Sequence, residues 1–358
     1  MALSCGIIGL PLAGKTTLFN LLTRAGAETS AWLSGKTAAN VGHAEVPDER
    51  LEFLSAMFKP KKTTYAQIEV IDVPGLLPGL YREKGGDFLA AVRGSDALVQ
   101  VVRAFSDDAE KTPDILRDVN VMNTELLFAD LLMIETRLAR INSGSKKKTE
   151  HPLEEAALLK CRAMLEEEKP LKLLELSDEE KEALKHITFL TNKPMLLVVN
   201  LDENQLSKGE YAGREQMEAF CREQGMEMIE ISARAEEEIE ELEPEERAAF
   251  LSELGLSERG LSRVARAVYR QLGLISFLTA GEDEVRAWPV KKGSSAKSAA
   301  GKIHSDIERG FIRAETVAFA RLKEAGSMAA AREKGHFRLE GKDYQVQDGD
   351  IINFRFNV

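Results

Sequence analysis

The sequence predicts an α/β protein with a mostly parallel, doubly wound sheet, an inserted helical hairpin and a small β-rich C-terminal part. Apolar, strand-like runs alternate with helical patterns through the first 275 residues. Residues 123–190 interrupt that alternation with helical periodicity alone, and the segments after residue 275 are short and separated by Gly-rich turns. With 358 residues, 44% of them apolar, the chain is long enough to bury the cores of two or three domains.

Five apolar runs predict the strands of the parallel sheet. Several are rich in β-branched and other apolar residues at successive positions, as strands buried between two helix layers must be. The runs cover residues 3–8, 66–71, 97–102, 195–199 and 228–231.

The stretch without strand signal predicts a helical hairpin. Its apolar residues step by four, three, four and three, as in a coiled-coil seam: Leu127, Leu131, Ile134, Leu138 and Ile141. A polar loop at 143–150 separates this pattern from a second one at 153–165, and Ser177 with Glu180 predicts a capping box at one further helix. Packing on its own domain is the simpler role for such a hairpin.

Charge is distributed unevenly. The net charge is −11, from 48 basic and 59 acidic residues, and as an average it argues weakly against a nucleic-acid partner. Residues 276–358, however, hold 14 basic and 12 acidic residues, a net of +2, after a helical pattern that ends near Leu272. The basic side chains cluster in positions 291–313, which suits contacts to a phosphate backbone, although solvated surface charge is the simpler explanation: Lys291, Lys292, Lys297, Lys302, His304, Arg309 and Arg313.

Composition also excludes several classes of protein. No apolar run reaches the roughly 18 residues of a membrane span, and an early strand leaves no room for a signal peptide. The three cysteines, Cys5, Cys161 and Cys221, are far apart and favour neither a disulfide framework nor a zinc site. We therefore expect a cytoplasmic protein.

The strongest motif follows the first strand. Residues 9–16 read G-L-P-L-A-G-K-T, which matches the phosphate loop G-x4-G-K-[ST], and a helical run follows from Thr17. Glycines in such a loop let successive N–H groups point at phosphate oxygens. We expect Leu12, Ala13, Gly14, Lys15, Thr16 and Thr17 to bind nucleotide, with Lys15 at the β- and γ-phosphates and the Thr16 hydroxyl on Mg²⁺.

A second phosphate element follows the strand at 66–71. Asp72-Val73-Pro74-Gly75 matches the DxxG switch of GTPase-like proteins, although alone it is more often a simple turn. We expect Asp72 to hold Mg²⁺ through a water and the Gly75 N–H to contact the γ-phosphate. Leu76 occupies the position of the water-orienting Gln of Ras-like enzymes. Catalysis is thus expected from Lys15 and Gly75, with no side-chain general base identified.

The base-recognition elements are altered relative to a guanine-specific protein. In place of N-K-x-D the chain has Asn200-Leu201-Asp202-Glu203, which loses the stacking Lys and lengthens the acid. Guanine selectivity should fall, so that adenine becomes admissible. Ser232 and Ala233, after the last strand of the sheet, stand at the usual base-shielding position.

Blocks of residues along nearly the whole chain resemble the Obg-like ATPase (YchF) family, a branch of the translation-factor-related P-loop GTPases. They include Asn40-Val41-Gly42, Asn123-Thr124-Glu125-Leu126, Asn200-Leu201-Asp202-Glu203, Glu284-Val285-Arg286-Ala287-Trp288 and Gly301-Lys302-Ile303-His304-Ser305-Asp306. The resemblance implies a P-loop NTPase G domain (1–122 and 191–275), an inserted helical coiled-coil domain (123–190) and a C-terminal TGS domain of β-grasp type (276–358). It also implies hydrolysis of ATP, or of GTP, and association with ribosomes.

Three departures from the family pattern lie near the γ-phosphate. Leu12 replaces an Asn that ligates K⁺ in related K⁺-dependent GTPases, which argues against K⁺ activation. Lys36 stands at the Mg²⁺-binding threonine position of switch I, and Thr37 reaches that position only after a shift of one residue. The segment at 106–113 is short and lacks a His that has been suggested to position water.

Two functions follow from these residues. The first is a slow Mg²⁺-dependent ATPase or GTPase that acts as a ribosome-associated switch. The alternative is a nucleotide-gated adaptor for RNA or the ribosome with little or no hydrolysis, which the three departures favour. Retention of Lys15 and Asp72 favours the enzyme. Ribosomal RNA should bind residues 276–358, with a second contact at the Lys146, Lys147 and Lys148 loop, and no DNA specificity is expected.

Overall fold

The protein is described from a computed structural model, in which residues 3–26, 40–73, 86–106, 112–143 and 152–357 are described. The chain forms two compact units. The first comprises Met1–Gly42 and Glu69–Val264, and the second comprises His43–Ile68 and Ala265–Val358. The three-domain boundaries expected from the sequence stay a prediction.

The strands are numbered in chain order. They are β1 (Ser4–Ile8), β2 (Asn40–Val46), β3 (Lys62–Thr64), β4 (Ala66–Asp72), β5 (Ala97–Arg103), β6 (Met195–Asn200), β7 (Glu227–Ile231), β8 (Leu274–Ala280), β9 (Glu284–Lys291), β10 (Phe311–Ala318), β11 (Arg338–Glu340) and β12 (Asp350–Phe356). The five strands expected from apolar runs match β1, β4, β5, β6 and β7 to within one residue at each end.

The helices are numbered in the same way. They are α1 (Lys15–Thr23), α2 (Glu49–Phe58), α3 (Gly86–Gly94), α4 (Ile115–Ser143), α5 (Pro152–Glu166), α6 (Asp178–Leu184), α7 (Glu203–Lys208), α8 (Arg214–Glu223), α9 (Ala233–Glu241), α10 (Pro244–Glu253), α11 (Gly260–Gln271), α12 (Ala296–Ile303), α13 (Ser305–Arg309), α14 (Phe319–Ala325) and α15 (Met328–Glu333). A turn of 3-10 helix spans Leu171–Leu173.

The first sheet has the strand order β2-β4-β1-β5-β6-β7. Neighbouring strands from β4 to β7 run parallel, with Cys5 opposite both Val70 and Ala97. Successive residues of β1, β5 and β6 are buried although their side chains alternate between the two faces, so both faces are covered. On one face helix α4 contributes to two apolar clusters, one with Leu98 and Met122 and the other with Leu197 and Val119. Because both faces are buried under helices, the predicted α/β fold with a doubly wound parallel sheet is confirmed.

Helix α4 links the sheet to the helical hairpin. Its first turns pack on the sheet through Ile115 and Val119, and its later turns join α5 in a separate apolar cluster. Four of the five predicted seam residues belong to that cluster, which also holds Leu158, Cys161 and Leu165 from α5, and the fifth, Leu131, is partly buried against it. The helix begins eight residues before the position expected from the sequence, at Ile115 rather than residue 123. The apolar spacing continues through those residues, and their role in covering the sheet is set by tertiary packing.

Polar contacts fix the hairpin at both ends. The buried Glu154 carboxylate of α5 accepts from Arg137 of α4, with Nε 2.6 Å from Oε1. The predicted capping box of Ser177 and Glu180 is present at the start of α6. At the base of the hairpin, the fully buried Asp130 accepts backbone N–H groups of Leu190 at 3.0 Å and Thr191 at 2.9 Å. These bonds hold the segment that leads back to β6.

The second unit has a sheet of order β11-β10-β12-β8-β9-β3. Its central strands β8 and β12 run parallel, while β9 is antiparallel to β8 and β10 is antiparallel to β12. Helix α12 buries Ala296, Ala299 and Ala300 in a cluster with Phe277 and Ile352 of the sheet. A parallel central pair with antiparallel flanking strands and a covering helix is the arrangement expected of a β-grasp domain. In the described ranges, no helix is long and apolar enough to cross a membrane.

Candidate functional site

The phosphate-loop motif forms the turn between β1 and α1. Two glycines permit its path: Gly9 has a φ of 150° and Gly14 a φ of 96°, both costly for other residues. A Cβ at Gly9 would lie 2.3 Å from the Val101 carbonyl oxygen, and one at Gly14 would lie 2.4 Å from Asn200 Nδ2. Leu12 also has a positive φ, 61°, and is 79% exposed. The loop is therefore held against β5 and the end of β6 by close packing at its glycines.

Lys15 is the first residue of α1 and, with Lys193, one of two buried cationic side chains in the part of the chain that the structure describes. It is 6% exposed, and its Nζ donates to the Leu10 carbonyl oxygen of the same loop at 2.9 Å. Burial lowers the pKa of Lys15 to about 8, and the attraction of Asp72 opposes that fall. The positive charge of the Lys15 ammonium is thus buried inside the loop and only weakly compensated by Asp72. Such a group is suited to bind an anion.

Thr16 and Asp72 meet at the carboxyl ends of the neighbouring strands β1 and β4. The Thr16 hydroxyl donates to Asp72 Oδ2 at 3.0 Å, and Asn40 Nδ2 donates to the same oxygen at 3.4 Å. The other oxygen, Oδ1, is buried without a hydrogen-bond partner in the described part of the chain. Burial raises the pKa of Asp72, while the bonds from Thr16 and Asn40 and the charge of Lys15 act against that rise. A hydroxyl beside a carboxylate with an unused oxygen is a donor set that suits Mg²⁺.

Asn200, at the end of β6, joins the phosphate loop to the start of α9. Its Nδ2 donates to the Ala13 carbonyl oxygen at 3.1 Å, and its Oδ1 accepts from the Ala233 N–H at 3.0 Å. The side chain is 4% exposed. Asn200 thus positions the phosphate loop and the expected base-shielding loop relative to each other, in addition to its expected role at the base.

The residues beside Asn200 have different surroundings. Leu201 is 1% exposed and packs in the apolar cluster under the sheet, so it is a core residue rather than a cover for a base. Glu203 begins α7, and its Oε1 lies 3.5 Å from Arg234 Nε on α9. The Ser232 hydroxyl caps α9 by accepting the Ala235 N–H at 3.3 Å. The Glu203 carboxylate therefore faces the α9 side of the site.

The structure thus brings together most of the site residues that the sequence singled out. Asn40 was quoted there only as part of a resembling block, and its amide contact with Asp72 was missed. Asn40 begins β2, a strand that the apolar runs did not predict, and its place in a resembling block was the only available signal. Lys36, Thr37, Gly75 and Leu76, most of the 106–113 segment and the Lys146, Lys147 and Lys148 loop lie outside the described residues.

Comparisons with known proteins agree with this geometry. Residues 4–136 match a family model described as a 50S ribosome-binding GTPase. Residues 274–357 match the model for the C-terminal domain of YchF GTPases, described as a protein of unknown function (DUF933). The chain is 44% identical to the ribosome-binding ATPase YchF of Bacillus subtilis and 40% identical to that of Escherichia coli O157:H7, with 100% of both chains covered in each case.

A solved structure gives the same result. The Schizosaccharomyces pombe YchF GTPase superposes with a TM-score of 0.86 at 29% identity, covering 99% of this chain and 98% of that one. The phosphate loop, the two family models and the relatives that match over their full length all agree, so this chain belongs to the YchF family of P-loop nucleotide-binding proteins.

Proposed function

We propose that this protein hydrolyses ATP, and GTP as a second substrate, to the diphosphate and phosphate, and that it acts as a ribosome-associated switch. The observation that carries the proposal is the hydrogen bond, 3.0 Å long, between the half-buried Thr16 hydroxyl and the buried Asp72 carboxylate, beside the buried Lys15. The relatives that match the whole chain are ribosome-binding ATPases by name, which supports the same activity here.

Mg²⁺ fits the residues at this site. The buried Asp72 Oδ1 atom has no hydrogen-bond partner among the described residues, and the Thr16 hydroxyl donates to the other oxygen, Oδ2, of the same carboxylate. These two side chains would hold the ion, Asp72 through a water, and Thr37 is a further candidate ligand that lies outside the described residues. When bound, Mg²⁺ would neutralise part of the negative charge on the phosphates. K⁺ activation is not expected, because Leu12 offers no oxygen in place of the missing Asn.

Lys15 changes its hydrogen-bond acceptor when nucleotide binds. Its ammonium donates to Leu10 O within the loop, and the β- and γ-phosphate oxygens of a bound nucleotide would take that place. An anion next to the ammonium stabilises its charged form, so the pKa of Lys15 rises again on binding. The N–H groups of residues 12–17 add further donors at the start of α1.

Hydrolysis rests on positioning and charge neutralisation. Lys15 stabilises negative charge on the phosphates, and the Gly75 backbone N–H is the proposed second donor to the γ-phosphate. Leu76 offers no hydrogen bond to the attacking water, so the water must be placed by backbone groups or by a group supplied by the ribosome. Intrinsic turnover is therefore slow, below the roughly 1–100 s⁻¹ of kinases.

Single-turnover hydrolysis of ATP, with and without ribosomes, tests the enzyme against the adaptor. If the protein is an enzyme, wild type converts bound ATP to ADP, and ribosomes accelerate this conversion. The Lys15→Ala and Asp72→Asn variants do not convert ATP. Lys208→Ala, at an exposed lysine of α7, is the matched control and keeps the wild-type rate. Tight binding of ATP without conversion in either condition establishes the adaptor instead.

Base selection is proposed to depend on Glu203. Leu201 is buried in the core and contributes nothing over the base, which leaves the carboxylate of Glu203 as the polar group at the strand end. Arg234 holds this carboxylate at 3.5 Å and also contacts Glu238 at 3.6 Å. Calorimetric affinities for ATP and GTP should therefore change in Glu203→Asp but not in Glu238→Asp. An unchanged ATP/GTP ratio in Glu203→Asp removes Glu203 from base recognition.

Ribosome binding is proposed to use the basic surface of the second unit. Lys291, Lys292 and Lys302 are exposed, on β9, the turn after it and α12. His304 and Arg309 both contact Asp306, which reduces their availability for phosphates. The Lys146–Lys148 loop is a second proposed RNA contact.

Replacing those three lysines by glutamine should weaken co-sedimentation with ribosomes. The slope of the logarithm of affinity against the logarithm of salt should fall by about 2, since each lost phosphate contact removes about 0.7–0.9. Lys323→Gln with Lys334→Gln, on α14 and at the end of α15, is the control pair. Equal binding by the triple variant and wild type would exclude this surface from the interface.

A further inference from the structure

A separate pocket lies in the first unit, at the amino-terminal end of strand β6, whereas the phosphate loop lies at the carboxyl end of that strand. Its volume is about 280 Å³, and it is lined by residues that include Asn123, Lys172, Lys193, Met195, Phe220 and Gln224. Met195 is the first residue of β6, whereas Asn200, which contacts the phosphate loop, is the last. The pocket is therefore a separate site that the proposed hydrolysis does not use.

Several polar side chains in this pocket have unused hydrogen-bonding capacity. Asn123 of α4, Lys172 of the 3-10 turn and Gln224 after α8 are half-buried, and none makes a side-chain hydrogen bond or ion pair with another described residue. Half-buried polar groups normally find protein or solvent partners. Three such groups around one cavity provide both donors and acceptors for a small molecule.

Positive charge exceeds negative charge at the pocket. Lys193 is buried, and its ammonium donates to the carbonyl oxygens of Arg93, at 3.1 Å, and Ser95. Burial lowers the pKa of both Lys172 and Lys193, and for Lys193 the charges of Asp96 and Asp130 oppose that fall, so Lys172 would gain the most from a nearby anion. Glu168 is the only acid among the described lining residues, and it is exposed.

Part of the remaining wall of the pocket is apolar. Phe220 offers an aromatic ring, and Met195 and Met226 offer adaptable thioether side chains. Small-molecule sites typically combine such apolar walls with a few polar groups that fix orientation. The volume, close to 300 Å³, is at the lower end of the range for such sites.

We propose that this pocket binds a small organic anion, a phosphate monoester or a carboxylate attached to a flat apolar group. The Lys172 ammonium pairs with the anionic oxygens, the amides of Asn123 and Gln224 orient them, and the flat group packs on Phe220 and the two methionines.

The test uses the full chain labelled with ¹³C at the methionine methyl groups, because Met195 and Met226 report directly from the pocket wall. Phenyl phosphate and benzoate are the two charged probes, and benzyl alcohol is the uncharged probe. We expect saturable shifts of both methyl resonances with at least one charged probe, and binding of benzyl alcohol about tenfold or more weaker. The two charged probes distinguish phosphate from carboxylate recognition.

Variants separate this pocket from the phosphate loop and from surface charge. Lys172→Gln should weaken the charged probe about tenfold or more, and Lys172→Arg, which keeps the charge, should retain it. Lys169, three residues before Lys172, is exposed and paired with Glu167, and Lys169→Gln should leave the affinity for the charged probe unchanged. Lys15→Ala should also bind the probe as wild type does. No saturable shift by about 10 mM of either charged probe, or equal affinity in wild type and Lys172→Gln, would overturn the proposal.

Discussion

Replacing Lys15 by methionine should stabilise the nucleotide-free protein at pH 7 while it abolishes nucleotide binding. The side chains are similar in length and both are largely buried at this position, where Lys15 is 6% exposed. Burial of the ammonium lowers its pKa from 10.5 to about 8, which at 1.36 kcal/mol per pKa unit corresponds to about 3 kcal/mol. Methionine removes this cost but leaves Leu10 O without its donor, a loss of about 1 kcal/mol. The expected net gain is about 2 kcal/mol.

The gain should depend on pH in a defined direction. Between pH 8 and 10.5 the unfolded chain keeps the lysine proton that the folded protein has already lost, so wild-type stability rises with pH through this window. Methionine has no such titration. The advantage of Lys15→Met should therefore be largest below pH 8 and should shrink by about 1.4 kcal/mol per pH unit above it.

Urea denaturation followed by circular dichroism from pH 7 to 10 provides the measurement. Lys208→Met, at an exposed lysine on α7, is the control, and its effect should stay within about 0.5 kcal/mol. Adding Mg²⁺ and ATP at about 100 times Kd should stabilise wild type by about 2.7 kcal/mol and the variant by nothing. A variant less stable than wild type at pH 7, or an advantage that does not shrink toward pH 10, would refute the reasoning.

Three further predictions follow from single contacts. Leu12→Asn should raise the free energy of unfolding by about 0.5–1 kcal/mol, because Asn tolerates the φ of 61° better than Leu, and a lower urea midpoint would contradict this. Gly14→Ala should abolish nucleotide binding by calorimetry, since its Cβ would lie 2.4 Å from Asn200 Nδ2, and wild-type affinity would show that the loop can shift. Asp130→Ala should cost about 3 kcal/mol or more in urea unfolding by leaving buried N–H groups unpaired, with Asp130→Asn less affected; a cost below about 1 kcal/mol would disprove that role.

The parts of the fold that were predictable from the sequence have local causes. Strand β6 is a continuous apolar run up to Asn200, β5 is interrupted only by Gln100 before its last residue, and the phosphate loop has its glycines at fixed spacing, so each could be recognised from neighbouring residues. The start of α4 at Ile115 could not be predicted in this way. Residues 115–122 have the same helical period as the hairpin, and only their packing on the sheet distinguishes them from it. The hydrogen bond from Asn200 to Ala13 joins residues 187 positions apart, and no local pattern encodes it.

The order of the strands explains why these distant residues meet. Strand β1 lies between β4 and β5, so the loop that follows β1 has Asp72 on one side and Val101 on the other, and Asn200 comes from the next strand. The chain order of the strands is different, which is why the sequence predicted the site residues separately but not their contacts. Because Gly9 and Gly14 pack the loop closely against these neighbours, the protein itself shapes the loop and little binding energy is needed for that purpose. The Asn200 side chain helps to hold the loop in place. Substitutions of Asn200 should therefore weaken nucleotide binding even if this side chain touches no phosphate.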